Sequence, residues 1–180
     1  MARVVYSATC SLDGYIAGPD GDMQWLQPYL GPNPEIDRFS EEVGALLVGR
    51  RTFTGDDPNR GTDAEGAFGG TWHGPVFVLT SQPPPAGSDG VTYVTDVRDG
   101  VRRAADAVGD GVVNVLGAHT ARSCLEAGLL GEVLMIVAPV LLGDGTPLFA
   151  VEGGQRVALE PIRSTSTGMV TNLWFRVPWP

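Results

Sequence analysis

The stretch Leu46-Leu47-Val48-Gly49-Arg50-Arg51-Thr52-Phe53 joins a short, fully apolar strand to a glycine and then to the start of a helical turn. A similar order recurs twice further along the chain. The apolar strand Val76-Phe77-Val78-Leu79 leads into polar residues, and Val112-Val113-Asn114-Val115-Leu116 leads into Gly117 and a helix. Strands that are apolar along most of their length are typical of parallel sheets covered on both faces. The chain is therefore predicted to be an α/β protein.

The remaining elements complete this prediction. Residues 3–10 read as a first strand, and Asn33-Pro34 is typical of the start of a helix, here expected to run to about Ala45. Thr95 or Asp96 can cap a second helix that ends near Val108, and Gly168 divides two alternating strands that predict a closing hairpin. We predict one domain over residues 1–180, a three-layer αβα fold with a mostly parallel central sheet and an antiparallel C-terminal hairpin.

Two segments are predicted to be loops. Residues 11–22 contain three glycines and a proline, and residues 55–74 are glycine-rich and charged. Because a loop of about 20 residues is unusual in a compact domain and is often functional, we expect the second loop to close over a cleft at the edge of the sheet.

Composition excludes several classes of function. The 180 residues carry a net charge of −9, and all twelve basic residues are arginines, which is unfavourable for binding a nucleic-acid backbone. No apolar run is long enough to span a membrane, and two histidines with two cysteines show no metal-ligand spacing. Cys10 and Cys124 are expected to be buried free thiols, which fits a cytoplasmic protein.

Groups that can bind anions follow three of the predicted strands. They are a glycine with two arginines and a threonine, a pair of hydroxyls, and a helix start with a histidine: Gly49, Arg50, Arg51 and Thr52; Thr80 and Ser81; Gly117, Ala118, His119 and Thr120. The carboxyl ends of parallel strands share one edge of a sheet, where α/β proteins bind ligands. Guanidinium groups and the amides at a helix start both bind phosphate. The sequence therefore predicts a site for a phosphorylated dinucleotide.

Four motifs, in order along the chain, resemble those of the dihydrofolate-reductase-like superfamily. Ser11-Leu12-Asp13-Gly14-Tyr15-Ile16-Ala17 follows the first strand, and Gly49-Arg50-Arg51-Thr52-Phe53 is similar to the family's cofactor motif. Ala127-Gly128-Leu129-Leu130-Gly131-Glu132 and Pro139-Val140-Leu141-Leu142-Gly143-Asp144-Gly145-Thr146-Pro147-Leu148-Phe149 resemble its later signatures. The resemblance is nearest to the reductase domain of the riboflavin-biosynthesis deaminase/reductase and its stand-alone relatives.

This resemblance implies a reductase that uses NADPH. Thr9 and Ile16 would offer backbone groups to the nicotinamide, while the three anion-binding segments would hold the 2′-phosphate, the adenosine end and the pyrophosphate. Asp13 is a candidate proton donor or a loop-organising carboxylate, and Trp25 is expected either to line a substrate pocket or to pack in the core. Family members commonly form homodimers, and the apolar run 133–142 is expected to supply a sheet-edge or helix-backed interface.

Three departures from the family pattern bear on the substrate. Leu116 replaces the first glycine of a double-glycine motif and could crowd a phosphate, and Val115 replaces an acid found in riboflavin-pathway reductases. After Trp25 there is no acid until Glu35, which counts against folate reduction. The hypothesis is an NADPH-dependent reductase of a small heteroaromatic or carbonyl-type substrate. The alternatives are a non-catalytic ligand-binding protein of the same fold and a 5-amino-6-(5-phosphoribosylamino)uracil reductase.

Overall fold

The computed structural model describes residues 2–85, 90–151 and 153–179. Two 3-10 helices span Pro19–Gly21 and Gln24–Tyr29. The other elements, in chain order, are β1 (Arg3–Ser11), β2 (Tyr15–Ala17), α1 (Pro34–Glu42), β3 (Val43–Gly49), α2 (Arg50–Phe53), β4 (Val76–Leu79), β5 (Val91–Val94), α3 (Val97–Val108), β6 (Val112–Leu116), α4 (Ala118–Glu126), β7 (Glu132–Ala138), β8 (Thr146–Pro147), β9 (Glu160–Thr167) and β10 (Val170–Arg176).

Eight strands form one sheet in the order β5-β4-β3-β6-β1-β7-β10-β9. The first six in this order run parallel, and the hairpin of β9 and β10 adds two antiparallel strands beside β7. This arrangement confirms the predicted mostly parallel sheet with an antiparallel C-terminal hairpin. The carboxyl ends of the parallel strands consequently share one edge of the sheet.

The two faces of the sheet are covered differently. Helices α3 and α4 pack on one face around a main core that includes Tyr6, Leu47 and Val115. The other face, called here the α1 face, carries a second cluster built around Phe39 of α1 and Trp174 of β10. Helices therefore lie on both sides of the sheet, as the three-layer prediction required.

Two helix starts confirm their predicted caps, but the end of α1 does not. Asn33 accepts a hydrogen bond from the Glu35 amide at 3.2 Å, and Asp96 accepts one from the Asp99 amide at 2.9 Å. The prediction that the first helix runs to about Ala45 is wrong, because α1 ends at Glu42 and β3 begins at Val43. Val43 already pairs with Val112 of β6, so long-range strand pairing ends the helix three residues early.

Residues 54–75 form the crossover that returns the chain from the carboxyl end of β3 to the amino end of β4, and they contain no helix or strand. The predicted loop is thus confirmed, although it lies along the α1 face. Phe68 and Trp72 pack against the second cluster there. The Trp72 indole nitrogen donates to the Val43 carbonyl at 2.9 Å, which fixes the end of the crossover next to β3.

The first predicted loop, residues 11–22, contains an element that was not predicted. Within it β2 pairs antiparallel with β8, so two of the motifs quoted above contact each other. Gly145, just before β8, lies so close to Ala17 that a Cβ atom would overlap the Ala17 carbonyl oxygen. The motif around Gly145 is therefore required for this pairing.

The sheet-edge form of the predicted interface at residues 133–142 is wrong, whereas the homodimer itself stays a prediction. Most of that run is β7, which pairs with β1 on one side and β10 on the other, and its side chains are nearly all buried. It is apolar because it is a central strand, so it cannot offer a sheet edge to a second subunit.

We predict that Gly145→Ala destabilises the fold by about 3 kcal/mol, because it adds a steric overlap to the strain of a positive φ of 134°. Gly143→Ala is the matched control: Gly143 also has a positive φ (76°), but a Cβ there would meet no atom within 4 Å. The control should cost only about 1 kcal/mol of strain. Urea unfolding of both variants measures the difference, and equal losses would contradict the close contact.

Candidate functional site

The central feature of the strand-end edge is a reciprocal contact between two helix starts. Val48 pairs with Leu116, so Gly49 and Gly117 end neighbouring strands side by side. A Cβ on Gly49 would lie 2.7 Å from the Thr120 hydroxyl, and a Cβ on Gly117 would overlap the Thr52 hydroxyl. Gly117 also has a φ of 91°, which favours glycine. Gly49 thus makes room for Thr120 of α4, and Gly117 makes room for Thr52 of α2. The two helices therefore begin in direct contact.

Arg50 and Arg51 are exposed at this point. Eight of the twelve arginines form ion pairs with carboxylates in the described ranges. Arg50 and Arg51 form none there, and neither do Arg98 and Arg156, although the chain has an excess of acidic residues. Their guanidinium groups are consequently free to bind an anionic ligand.

Thr80 and Ser81 lie next along the same edge, because β4 is the neighbour of β3. Thr80 is buried, and its hydroxyl accepts a hydrogen bond from the Gln82 amide at 3.2 Å. Its amide donates to the Val94 carbonyl at 2.9 Å. Thr80 therefore shapes the turn, and Ser81 is the exposed hydroxyl of the predicted pair.

The start of α4 carries the third predicted anion-binding segment, residues 117–120. Thr120 is fully buried, and its hydroxyl has no hydrogen-bond partner among the described residues. His119 is exposed, and its Nδ1 lies 3.2 Å from Nη2 of Arg122. Because arginine can only donate, this contact places the imidazole proton on Nε2. Ala118, the first residue of the helix, is half-buried.

The end of β1 and the segment that follows it contain three further predicted residues: Thr9, Asp13 and Ile16. Thr9 is half-buried two residues before the end of the strand, and Ile16 in β2 packs against the main core. The Asp13 carboxylate accepts hydrogen bonds from the amides of Leu142 at 3.0 Å and Gly143 at 2.7 Å. The Ser11 hydroxyl and these two amides hold the pKa of Asp13 below its usual range. This geometry suits the loop-organising carboxylate better than the proton donor.

Trp25 lies in the 3-10 helix Gln24–Tyr29 and packs on Ile136, Ala138 and Val170 of the α1 face. Its ring centroid is 6.4 Å from that of Tyr29. The buried indole nitrogen has no hydrogen-bond partner in the described part of the chain. Trp25 therefore combines a packing role with one unpaired donor beside the end of β7.

Asp56 is a residue of this region that the sequence analysis missed. Its carboxylate accepts from the Met23 amide at 3.2 Å and from Nε2 of Gln24 at 3.0 Å. The Gln24 side chain and the Met23 amide lower the pKa of Asp56. The carboxylate joins the crossover to the Trp25 segment, and no local sequence signal distinguishes it from the other acids of the crossover.

The structure shows where two of the residues that depart from the family pattern, Leu116 and Val115, lie. The Leu116 side chain packs against the second cluster on the α1 face, so it points away from the contact between the two helix starts. Val115 is fully buried in the main core on the opposite face. An acid at position 115 would therefore have to be buried in that core.

Two cavities of the molecule lie away from this edge. One of about 360 Å³ is lined by charged residues at the amino ends of β1 and β7, including Arg3, Glu35 and Glu132. The other, of about 400 Å³, is apolar and lies beside Leu125 and Phe149. Neither is lined by the predicted cofactor-binding residues. Those residues range from fully buried, as Thr120 is, to exposed, as Arg50 and Arg51 are, along one edge of the sheet.

Comparison with known proteins identifies the family of this chain. The sequence pattern of the RibD C-terminal domain matches residues 2–172. The chain belongs to the RibD C-terminal domain family. This is the reductase-domain family of riboflavin biosynthesis, and it confirms the resemblance drawn from the four motifs.

Similar proteins cover nearly the whole chain. The Bacillus subtilis protein YyaP is 25% identical over 179 residues, covering 93% of this chain and 92% of its own. The crystal structure of a putative riboflavin biosynthesis protein from Shewanella sp. PV-4 is 27% identical, with a TM-score of 0.75 and coverage of 99% and 100%. The RibD C-terminal domain fold therefore accounts for the full described chain.

A deaminase/reductase from Thermotoga maritima shares the fold at 16% identity and a TM-score of 0.70. The match covers 98% of this chain but 57% of that longer protein.

Among the described residues of this chain, no helix is long and apolar enough to cross a membrane.

We predict that the contribution of Asp13 to stability depends on pH. A carboxyl group whose pKa is lowered in the folded protein stabilises it above the unfolded pKa, about 4, and loses that effect as the pH falls through the folded pKa. Asp13→Asn should therefore lower the melting temperature at pH 7 and lower it by less at pH 3. Asp63→Asn, at an exposed aspartate of the crossover, is the control. A loss for Asp13→Asn that is equal at both pH values would contradict the assignment.

Proposed function

We propose that this member of the RibD C-terminal domain family is an NADPH-dependent reductase of a small heteroaromatic or carbonyl-type substrate. The observation that carries the proposal is the pair of exposed arginines without carboxylate partners, Arg50 and Arg51, beside the interlocked starts of α2 and α4. The 2′-phosphate of NADPH would supply the anionic partner that these two arginines lack among the described residues. NADPH is favoured over NADH for the same reason.

The groups at the strand-end edge fit a phosphorylated dinucleotide. Gly49 and Gly117 allow α2 and α4 to begin side by side where two strands end, and α4 presents its first amides at the same edge. His119 would donate from Nε2 to a phosphate oxygen, and the unpaired Thr120 hydroxyl adds a polar group beneath it. Ser81 would serve the adenosine end. The chemistry of the donors therefore matches the cofactor that the family implies.

In the proposed reaction the main task of the protein is to position the cofactor and the substrate relative to each other. Bound NADPH supplies a hydride, and the protein orients the two reactants. Thr9 and Ile16 would hold the nicotinamide end through backbone groups near the end of β1, and Trp25 would border the substrate. We assign Asp13 to ordering the adjoining loops, since two amides already occupy its carboxylate. Water is then the source of the proton.

We do not extend the proposal to the ribosylaminopyrimidine of riboflavin biosynthesis. The Shewanella relative is described as a putative riboflavin biosynthesis protein, which supports that substrate. Position 115, however, is a fully buried valine here and supplies no acid. A different small substrate agrees better with this residue.

We also infer a cytoplasmic protein, since Cys10 and Cys124 are free thiols buried in the core. A homodimer remains a proposal as well. The exposed outer edge of β9 offers a surface for it, and sedimentation of the purified chain would test it.

We predict that replacing the arginine pair weakens cofactor binding selectively. Arg50→Met with Arg51→Met should reduce the affinity for NADPH about tenfold or more, because hydrogen bonds to charged groups contribute about 1.5–3 kcal/mol each. Affinity for NADH, which has no 2′-phosphate, should change much less. Titration of cofactor fluorescence measures both.

The matched control is Arg102→Met with Arg103→Met, a neighbouring arginine pair in the middle of α3 that already pairs with Asp99. It removes the same charge and should leave both affinities unchanged. If NADPH fluorescence and the melting temperature of the wild-type protein stay flat at millimolar cofactor, the proposed function is wrong. Transfer of label from isotopically labelled NADPH to a metabolite pool then separates a reductase from a non-catalytic binder.

A further inference from the structure

The cavity of about 360 Å³ at the amino ends of β1 and β7 combines an aromatic floor with a charged rim. It lies between α1 and the β9–β10 hairpin, at the opposite end of the sheet from the predicted cofactor-binding residues. Phe39 and Trp174 form its floor, with ring centroids 5.6 Å apart in an edge-to-face contact. This space, called here the amino-end cavity, has the volume of a small-molecule site, for which about 300–1,000 Å³ is usual.

Arginines outnumber acids on the rim of the amino-end cavity. The charged lining consists of four arginines and three glutamates: Arg3, Arg38, Arg163 and Arg176; Glu35, Glu42 and Glu132. The chain as a whole has 21 acidic residues and 12 arginines. The rim is therefore a positive exception in an acidic protein, and a monoanion would balance its one excess charge.

The most buried of these acids fixes an arginine of the hairpin. Glu35 is 3% exposed, and its carboxylate accepts from Arg163 Nη1 at 3.1 and 3.4 Å and from Arg38 Nη2 at 3.0 Å. A buried ion pair is weak evidence for stability, because desolvation offsets much of the attraction. The geometric effect is definite, however, since two contacts through one nitrogen hold the Arg163 guanidinium in place at the cavity.

The second buried acid closes the opposite side of the cavity. Glu132 accepts from Trp174 Nε1 at 2.8 Å, and Arg3 forms ion pairs with both Glu132 and Glu42. The Arg3 guanidinium also lies 6.0 Å from the centre of the Trp174 ring. These four residues use one another's charges and donors, so the unused donors of the rim lie on the side of the hairpin.

Arg163 and Arg176 supply those unused donors. In the described part of the chain, Arg163 donates to a carboxylate through Nη1 alone. Arg176 lies 3.9 Å from Glu160, which is too far for a hydrogen bond. The two arginine side chains are 51% and 62% exposed. A carboxylate in the cavity can therefore accept hydrogen bonds from guanidinium groups on two neighbouring strands.

A β-bulge shapes the hairpin's part of the lining. Trp174 pairs with Arg163, but the next residue, Phe175, pairs with Pro161, so Ile162 is an extra residue on β9. Consecutive residues of a regular strand point to opposite faces, whereas Ile162 and Arg163 both line this cavity. Bulges re-aim side chains in this way and are frequent beside functional sites. Ile162, which is 41% exposed, thus adds an apolar wall next to the arginine.

We propose that the amino-end cavity is a ligand site, separate from the cofactor edge, for a small organic carboxylate. Arg163 and Arg176 bind the carboxylate, and the apolar part of the ligand lies against Ile162 and the floor. The site is independent of the proposed function, because none of the predicted cofactor-binding residues lines it.

The test uses the full chain, without cofactor, and benzoate as the probe. Millimolar benzoate should shift the indole signal of Trp174 in a nitrogen–proton NMR spectrum, whereas benzamide, which has the same shape without the charge, should not. The indole signal of Trp25, which packs at the other end of β7, is the internal control and should stay fixed. Its absence from the spectrum of Trp174→Phe assigns the Trp174 signal.

Two variants test the arginines. Arg176→Gln removes one donor without breaking a buried contact and should weaken benzoate binding about fivefold or more, because a charge-assisted hydrogen bond is lost. Arg163→Lys keeps a cation beside Glu35 but loses the forked donors, so it should weaken binding as well. The matched control is Arg102→Gln, which removes an exposed, ion-paired arginine of α3 on the other face and should leave the affinity unchanged.

The proposal is overturned if the Trp174 signal stays fixed at millimolar benzoate, or if benzamide moves it equally, since charge would then play no part. An equal response to inorganic phosphate would also overturn it, because the apolar wall would then contribute nothing. Unchanged benzoate affinity in both Arg176→Gln and Arg163→Lys would do the same. None of these measurements needs NADPH, so their outcome is read independently of the cofactor titrations.

Discussion

The contact between the starts of α2 and α4 is the constraint on which the rest of the candidate site depends. Gly49 and Gly117 end neighbouring parallel strands. Gly49 lies under the hydroxyl of Thr120, and Gly117 lies under the hydroxyl of Thr52. Any side chain at Gly49 or Gly117 would push the helices apart. Because α2 is a single turn, it has little internal stability, so its position, and with it the position of Arg50 and Arg51, is fixed by this contact and by β3.

The same edge explains why the arginines of the chain fall into two groups. Most of them pair with carboxylates on their own helix or across the sheet, as Arg102 does with Asp99 and Arg163 with Glu35. The exposed pairs among them, such as that of Arg102 with Asp99, contribute little to stability, but every such pair occupies a guanidinium group. Arg50 and Arg51 follow a glycine rather than an acidic segment, and in the described ranges no carboxylate is within reach. In the described ranges four arginines thus lack such a pair, and two of them, Arg50 and Arg51, directly follow Gly49 at the end of β3.

Local signals predicted the elements whose ends are set by local chemistry. The caps Asn33 and Asp96 and the hairpin at Gly168 all appear in the structure where they were expected. The end of α1 and the short strand β2 were missed, because both are set by pairing with residues about 70 and 130 positions away. At the site, the sequence identified the residues at the ends of strands. It could not identify Asp56, whose carboxylate joins two loops through contacts with Met23 and Gln24.

The difference between the two faces of the sheet follows from one missing helix. On the face of α3 and α4 the connections between parallel strands are helices, which bury their own backbone groups. The crossover between β3 and β4 has no helix, so its backbone is satisfied by carboxylates such as Asp57, which bonds the amides of Asn59 and Gly66. Such bonds are local and lie near solvent, so they can break without loss of the core. The face of α3 and α4 is therefore the side of the sheet that is harder to open, and the crossover is the side whose contacts can break first.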